Sequence, residues 1–245
     1  MAETINHDPL TILRRNAMAI NFVEQIDAAV AIQHVLVSVS DKAGLEAFIP
    51  ELLQINPRLT LYSTGGTFQA LQKSLGESLA KKHLVQVSDY TGQPEMQGGL
   101  VKTLDFKIYL GLLSETYNPE HTADLKRVKG VAIDMVIVNL YPFAQTVARS
   151  GVTPEQARAN IDIGGPCMVR AAAKNFLRVA SVTNPADYRK IVAELKAAGG
   201  KLSLKTRFDL ARKAFAHTAA YDTAIAAYLA QCPFAAVQKT YRIMT

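Results

Sequence analysis

The sequence predicts an α/β fold, in which a parallel sheet is flanked by helices and followed by a helical C-terminal extension. Three observations lead to this prediction. Short apolar runs alternate with helical spacings between about residues 35 and 184, as in a parallel sheet covered by helices. The first run, residues 35–40, is mostly apolar, as expected of a strand buried on both faces. From about residue 186 the spacing of apolar residues is helical.

The predicted strands are apolar and end at polar or turn-forming residues. They cover residues 35–40, 59–62, 84–88, 133–140 and 179–183. Parallel strands share one carboxyl edge, where open α/β sheets bind their ligands. We therefore expect the polar segments that follow these strands to meet at that edge.

The predicted helices carry apolar residues three or four positions apart. The first follows a cap at Ser40 or Asp41 and is expected to kink or restart at Pro50. A later helix over residues 186–198 is closed by two glycines. Residues 203–230 then form one long helix or two in succession.

The simplest division of the chain is an N-terminal arm and one domain. Residues 1–31 read as a polar arm that is expected to end in a short amphipathic helix over residues 22–32. Residues 32–245 form the α/β domain, with its helical tail from about residue 186. A chain of 245 residues with 49% hydrophobic content is long enough to bury a full core.

Composition excludes several classes of function. The net charge of +6 suits an anionic ligand, but no long basic block or RNA-reading motif is present, so we expect no nucleic-acid partner. The five histidines never pair at metal-binding spacing, and we expect no metal. Cys167 and Cys232 match no redox pattern and are expected to be reduced in a cytoplasmic protein. No stretch is apolar enough to span a membrane.

Residues 160–166, with the sequence NIDIGGP, predict a tight turn at the start of a helix. The two glycines permit backbone angles that other residues avoid, and proline suits the first helical position. Such a turn points N–H groups at an anion, here beside the carboxylate of Asp162. Arg170 and Lys174, four residues apart, place two cations on one face of the helix that follows. The turn therefore predicts a small polar site.

A second polar segment, Ser63-Thr64-Gly65-Gly66-Thr67, joins a predicted strand to a helix. Its N–H groups and hydroxyls suit a phosphate, although an ordinary turn with a capping threonine explains the same residues. It is neither a Walker loop nor a dinucleotide fingerprint, so neither ATP nor NAD is implied. Ser38, Ser40 and Lys42 lie at alternate positions at the end of the first strand. Together, the two segments favour a shared anion site.

Other polar residues are ambiguous when taken singly. Lys102 could stabilise an oxyanion, but an isolated lysine is better explained as a surface residue. Tyr141 could reach the same sheet edge, but an isolated tyrosine is more often a core residue. His217 and Tyr221, four apart on the terminal helix, are interpreted as packing and surface residues.

Taken together, these segments resemble the inosine monophosphate cyclohydrolase domain of the bifunctional purine biosynthesis protein. Their order and spacing hold from about residue 35 to residue 229. The matching segments are residues 38–42 (SVSDK), 63–67 (STGGT), 89–92 (DYTG), 94–96 (PEM), 101–104 (VKTL), 139–143 (NLYPF), 161–166 (IDIGGP) and 171–175 (AAAKN).

The resemblance implies a methylglyoxal synthase-like fold and a homodimer. It also implies the last step of de novo purine biosynthesis, in which 5-formamidoimidazole-4-carboxamide ribotide closes to inosine monophosphate with loss of water. The carboxamide nitrogen attacks the formyl carbon of the same molecule. Positioning, proton transfer and oxyanion stabilisation can suffice for this reaction, so no cofactor is implied.

The resemblance further implies roles for individual residues. The family's catalytic positions match Lys102, Tyr141, Asp162 and Lys174. Lys102 and the turn at residues 163–165 would stabilise oxygen charge, while Asp162 and Lys174 would orient the carboxamide and move protons. The implied substrate-binding residues are Ser38, Ser40, Lys42, Ser63, Thr64, Gly65, Gly66, Thr67, Val101, Thr103, Asn139, Ile163, Gly164 and Gly165.

The chain departs from the family pattern around the VKTL segment. Leu100 stands where the family usually has arginine, and Asp105-Phe106 stands where it usually has His-Pro. The 245 residues have no room for the formyltransferase domain of bifunctional relatives. We therefore expect either a stand-alone enzyme, with a separate formyltransferase as its partner, or a piece of a longer protein. Leu100 motivates an alternative function, a non-catalytic purine-nucleotide-binding module of the same fold. Methylglyoxal synthase itself is a third and weaker hypothesis.

Overall fold

A computed structural model describes residues 22–94 and 102–244 of the chain. The strands are β1 (Ala29–Ala31), β2 (His34–Val39), β3 (Thr60–Ser63), β4 (Leu84–Gln86), β5 (Met135–Asn139), β6 (Ala180–Val182) and β7 (Lys201–Ser203). Strands β2 to β6 form a five-stranded sheet in the spatial order β4-β3-β2-β5-β6, and every pair in it is parallel. The predicted parallel sheet is therefore confirmed.

Helices connect and cover the strands of this sheet. They are α1 (Leu45–Ile55), α2 (Gly65–His83), α3 (Val87–Thr91), α4 (Phe106–Leu113), α5 (Pro119–Arg127), α6 (Phe143–Val147), α7 (Pro154–Ala159), α8 (Gly164–Lys174), α9 (Tyr188–Ala197), α10 (Leu204–Gln231) and α11 (Phe234–Thr240). A 3₁₀ turn, Pro185–Asp187, precedes α9. The predicted helical C-terminal region is confirmed, and its long segment is the single helix α10.

Alternate residues of the central strand β2 enter two separate hydrophobic clusters, one on each face of the sheet. Val35 and Val37 belong to the cluster that includes the buried side chains of α1 and α9. Leu36, between them, belongs to the cluster built with α4, α8 and α10. Because successive side chains of a strand point to opposite faces, this near-continuous apolar run is required for a sheet with helices on both sides.

The predicted helix over residues 22–32 is wrong. Residues 22–27 carry no regular structure, and β1 pairs antiparallel with β7 in a separate two-stranded sheet. The fully buried guanidinium of Arg207 holds this segment by donating to the carbonyls of Asp27 and Leu202. The apolar residues of β1 thus gain backbone partners from a strand about 170 positions away, which local periodicity does not reveal.

Two predicted helix signals have different outcomes. Helix α1 continues through Pro50 from Leu45 to Ile55. Helix α9 ends at the predicted glycine pair, where Gly199 and Gly200 have φ values of 59° and 83° that favour glycine. Within the described part of the chain, no helix is both long and apolar enough to cross a membrane.

Candidate active site

A cavity of about 620 Å³ opens at the carboxyl ends of β2, β3 and β5. It lies at the edge of the sheet where the sequence predicts a ligand site. Its lining residues are Ser38, Val39, Ser40, Lys42, Thr64, Gly65, Gly66, Thr67, Lys102, Thr103, Asn139, Tyr141, Ala159, Ile161, Asp162, Ile163, Gly164, Gly165 and Met168. The structure therefore brings together residues that are as much as 130 positions apart in the chain.

One wall of the cavity is the segment that leaves β2, and the side chain of Asn139 at the end of β5 holds it in place. The Asn139 carbonyl oxygen accepts the N–H groups of Ser40 and Asp41 at 2.7 and 2.9 Å. Its amide nitrogen donates to the carbonyl of Asp41 at 2.7 Å. With these bonds made, Asn139 fixes the backbone that presents Ser40 and Lys42 to the cavity.

The start of α2 forms the second wall. Thr67 is tied to β2, because its hydroxyl accepts the N–H of Val39 at 3.1 Å and donates to the carbonyl of Val39 at 3.0 Å. Gly65 has a φ of 48°, which turns the chain sharply into the helix. The first N–H groups of a helix have no partner within that helix, so this wall suits an anion.

Residues 102 and 103 connect the two ends of the cavity. A methyl group built on Gly65 would lie 3.6 Å from Nζ of Lys102, which places this ammonium beside the α2 wall. A methyl group built on Gly164 would lie 2.7 Å from the hydroxyl oxygen of Thr103, which is mostly buried. The pair therefore lies between the α2 wall and the glycine turn that begins α8.

The carboxylate of Asp162 is bound into this glycine turn. Its Oδ1 accepts the N–H of Gly165 at 2.9 Å, and the side chain also accepts the N–H of Tyr141. A side chain at Gly165 would collide with Oδ2 of Asp162 and with Leu140. Only glycine at this position leaves room for the carboxylate.

Burial is the largest influence on the pKa of the Asp162 carboxyl. It raises the pKa of the carboxyl above its ordinary value, while the N–H groups of Gly165 and Tyr141 oppose this shift by favouring the charged form. A carboxyl group with a raised pKa accepts and returns a proton more readily near neutral pH than an exposed one. A partly buried acid that lines a cavity is a common feature of catalytic sites.

Two large side chains with apolar surfaces lie at the same end of the cavity. Tyr141 and Ile163 are 52% and 58% exposed, although both line the cavity. An aromatic ring and a branched aliphatic chain that remain uncovered beside polar groups offer a surface for a planar ligand. Tyr141 is therefore not a core residue, although an isolated tyrosine more often is one.

Among the residues that the structure describes, two of the predicted site residues do not line the cavity. Ser63 is fully buried, and its hydroxyl donates to the carbonyl of Val37 at 2.8 Å. Lys174 is the last residue of α8 and is exposed, about 15 Å along the helix from Gly164. Val101 lies outside the described residues, as does Leu100. The role that the resemblance implies for Lys174 stays a prediction.

Tyr221 contributes to the site in a way that the sequence does not indicate. Its hydroxyl accepts the N–H of Asp162 at 2.7 Å, from a position 59 residues further along the chain. The spacing of Tyr221 on α10 predicts packing alone, and the ring is indeed mostly buried. No sequence motif could have located this contact, because it depends on how α10 packs against α8.

The part of the chain that the structure describes contains no group of three or more His, Cys, Asp and Glu side chains placed to hold a metal ion. The cavity instead presents hydroxyls, lysine ammonium groups, helix N-termini and the Asp162 carboxyl. This set can bind a phosphate ester, neutralise negative charge on oxygen and move a proton.

Comparison with known protein families divides the chain into two matched regions. Residues 44–167 match the model of the MGS-like domain, which is just over half of the chain. Residues 172–244 match the model of the AICARFT/IMPCHase bienzyme. The first region contains almost all of the cavity wall beyond β2, and the second contains α9 and α10.

Pairwise comparison with individual proteins gives the same family. The chain is 49% identical over 199 residues to the bifunctional purine biosynthesis protein PurH of Neisseria meningitidis, and 46% identical over 198 residues to that of Ruminiclostridium cellulolyticum. Each match covers 81% of this chain but only 36% and 37% of the relative, so the chain spans just over a third of their length. The crystal structure of ForH superposes with a TM-score of 0.68 at 30% identity, covering 79% of this chain and 95% of ForH.

Proposed function

The chain belongs to the MGS-like domain family, and from this premise we propose that it is an inosine monophosphate cyclohydrolase. Its substrate is then 5-formamidoimidazole-4-carboxamide ribotide, and the reaction requires no cofactor. One observation carries the proposal: a single cavity combines an anion-binding wall with a partly buried carboxyl group and an exposed aromatic ring. The similarity to PurH over 81% of the chain supports the same activity.

The ribose phosphate binds at the wall formed by β2 and α2. Ser38, Ser40 and Lys42 face the phosphate from one side, and the start of α2 at Thr64 to Thr67 faces it from the other. Phosphate oxygens readily accept hydrogen bonds from the donors found here, which are hydroxyls, an ammonium group and helix N–H groups. The heterocycle then extends toward Asp162, with Tyr141 and Ile163 against its plane.

Ring closure takes place beside Asp162. The carboxamide nitrogen bonds to the formyl carbon, and one of its protons moves to the formyl oxygen. The C–O bond then breaks, the formamido nitrogen loses its proton, and the oxygen leaves as water. Asp162 accepts and returns these protons, for which the raised pKa of its carboxyl is suited.

Developing charge on the formyl oxygen requires donors fixed in advance. The N–H of Gly165 is already bound to Asp162, so we assign this task to the N–H groups of Ile163 and Gly164 and to Lys102. Holding both reacting groups within one cavity supplies the remaining acceleration, because the attack is intramolecular.

A direct assay tests the proposal. Purified protein is mixed with the formamido ribotide, and ring closure is followed by the change in ultraviolet absorbance. We expect turnover that is lost in Asp162→Asn, a variant that keeps the shape of the side chain but does not act as a carboxyl base. Absence of turnover in the unaltered protein, under conditions where it binds the ribotide, would refute the proposal.

The implied catalytic role of Lys174 needs its own test. The resemblance implies that it is catalytic, but the single chain leaves it at the far end of α8. A large loss of kcat in Lys174→Ala would mean that a second chain or a movement on binding brings this lysine to the substrate. Unchanged kcat would mean that the implied role does not transfer to this chain.

The alternative function, a non-catalytic purine-nucleotide-binding module, is favoured by Leu100, which cannot donate the hydrogen bonds of the usual arginine. Tight binding of inosine monophosphate without turnover of the ribotide would identify it. We further propose, from the resemblance, a cytoplasmic homodimer whose substrate is the product of a formyltransferase. Sedimentation analysis tests the dimer.

A further inference from the structure

The hydroxyl of Tyr221 is the point at which helix α10 is joined to the reacting end of the cavity. It accepts the N–H of Asp162 at 2.7 Å and donates to the carbonyl of Asn160 at 3.4 Å. Burial raises the pKa of this phenol, so the hydroxyl keeps its proton over the range in which enzymes work. One side chain thus bridges the backbone on both sides of Ile161.

The ring of Tyr221 is itself held in place. It is only 9% exposed and forms a T-shaped pair with Phe143, with the ring centroids 6.2 Å apart at an angle of 69°. Phe143 is buried and begins α6, two residues after Tyr141. The Tyr141 N–H in turn donates to the Asp162 carboxylate. Tyr221 therefore contacts both of the segments that place groups around this carboxylate.

We propose that Tyr221 is a positioning residue, which fixes the main chain at Asp162 and thereby aims the carboxylate at the reacting atoms. This inference rests on the proposed cyclohydrolase function. It also gives the region matched by the bienzyme model a part in the site, because α10 lies within residues 172–244. On this view α10 is an integral part of the site as well as a cover for the sheet.

The test uses Tyr221→Phe, which removes the hydroxyl and keeps the ring. Tyr228→Phe is the matched control, because Tyr228 lies on the same helix and forms a T-shaped pair with the same Phe143, with centroids 5.9 Å apart. Two quantities are measured in the full chain. The first is the hydrogen-exchange rate of the Asp162 amide, and the second is kcat and KM for the formamido ribotide.

We expect Tyr221→Phe to speed exchange of the Asp162 amide at least about tenfold, and to lower kcat about tenfold with KM changed less than about twofold. Tyr228→Phe should leave both quantities near those of the unaltered protein. A role in packing alone would instead leave both quantities unchanged in both variants, because each variant keeps its aromatic ring. Unchanged exchange at Asp162, or unchanged kcat despite faster exchange, would overturn the inference.

The exchange measurement does not depend on turnover. If the unaltered protein binds the ribotide but does not convert it, the proposed function fails. The exchange rate of the Asp162 amide in Tyr221→Phe then still decides whether the hydroxyl holds this backbone, so the two failures are distinguishable.

Discussion

Gly165→Ala is expected to damage the fold and the site together, because this glycine lies directly under the Asp162 carboxylate. The added methyl group would fall on Oδ2 of Asp162 and 2.8 Å from a methyl carbon of Leu140. Leu140 is buried and has little room to move. The carboxylate must therefore swing away and lose its bond to the Gly165 N–H.

The magnitude follows from three contributions. Overpacking costs about 1–3 kcal/mol, and loss of a hydrogen bond to a charged group costs about 1.5–3 kcal/mol. Replacing glycine by alanine in a helix returns up to about 1 kcal/mol. We expect a net destabilisation of about 2–5 kcal/mol, which lowers the melting temperature of a chain this long by about 4–20 °C.

The control for this prediction is Gly66→Ala. Gly66 occupies the first turn of α2, and a methyl group built there meets nothing within 4 Å. The same substitution should therefore leave the melting temperature unchanged or raise it slightly. Calorimetry on both variants and an activity assay on Gly165→Ala, in which kcat should fall at least about 100-fold, check the reasoning. A Gly165→Ala protein that melts with the unaltered one would refute it.

Three further predictions concern single side chains. The pKa of the Asp162 carboxyl is raised in the folded state above its ordinary 3.8, so its contribution to the free energy of unfolding is present below pH 3.8 and is lost as pH rises. In melting curves from pH 3 to 7, Asp162→Asn should therefore become more stable relative to the unaltered protein as pH rises. A difference in melting temperature that stays constant with pH would contradict this. Lys102→Ala should lower kcat about 100-fold, whereas Lys81→Ala, on an exposed part of α2, should not; equal rates in the two variants would remove Lys102 from the site. Arg207→Met removes the guanidinium that donates to four carbonyls, so the free energy of unfolding measured by denaturant titration should fall by about 3–5 kcal/mol. A fall of less than about 1 kcal/mol would show that water replaces the guanidinium.

The local sequence pattern predicted the central strands of the sheet correctly. The apolar runs at residues 35–40 and 133–140 became β2 and β5 at its centre, because a strand covered on both faces must be apolar at successive positions. The same reasoning failed at residues 22–32. A short apolar stretch of that kind fits a helix or a strand, and the choice depended on backbone groups of β7 and on Arg207.

The site divides in a similar way. Sequence reasoning placed Thr64 to Thr67 and the glycine turn at one edge of the sheet, because segments that follow parallel strands share that edge. It did not foresee that Asn139 holds the segment after β2 or that Ser63 points into the sheet. Both depend on which hydrogen-bond partners lie across the strands.

Apolar periodicity and short motifs were enough to predict the parallel sheet, its helical cover and the residue types at its carboxyl edge. The convergence of particular side chains, by contrast, depends on how the elements pack. This packing placed Tyr221 on the N–H of Asp162 and left Lys174 at the opposite end of α8. The physical reason is that such contacts join positions far apart in the chain, and helix packing, which local spacing does not encode, sets their geometry.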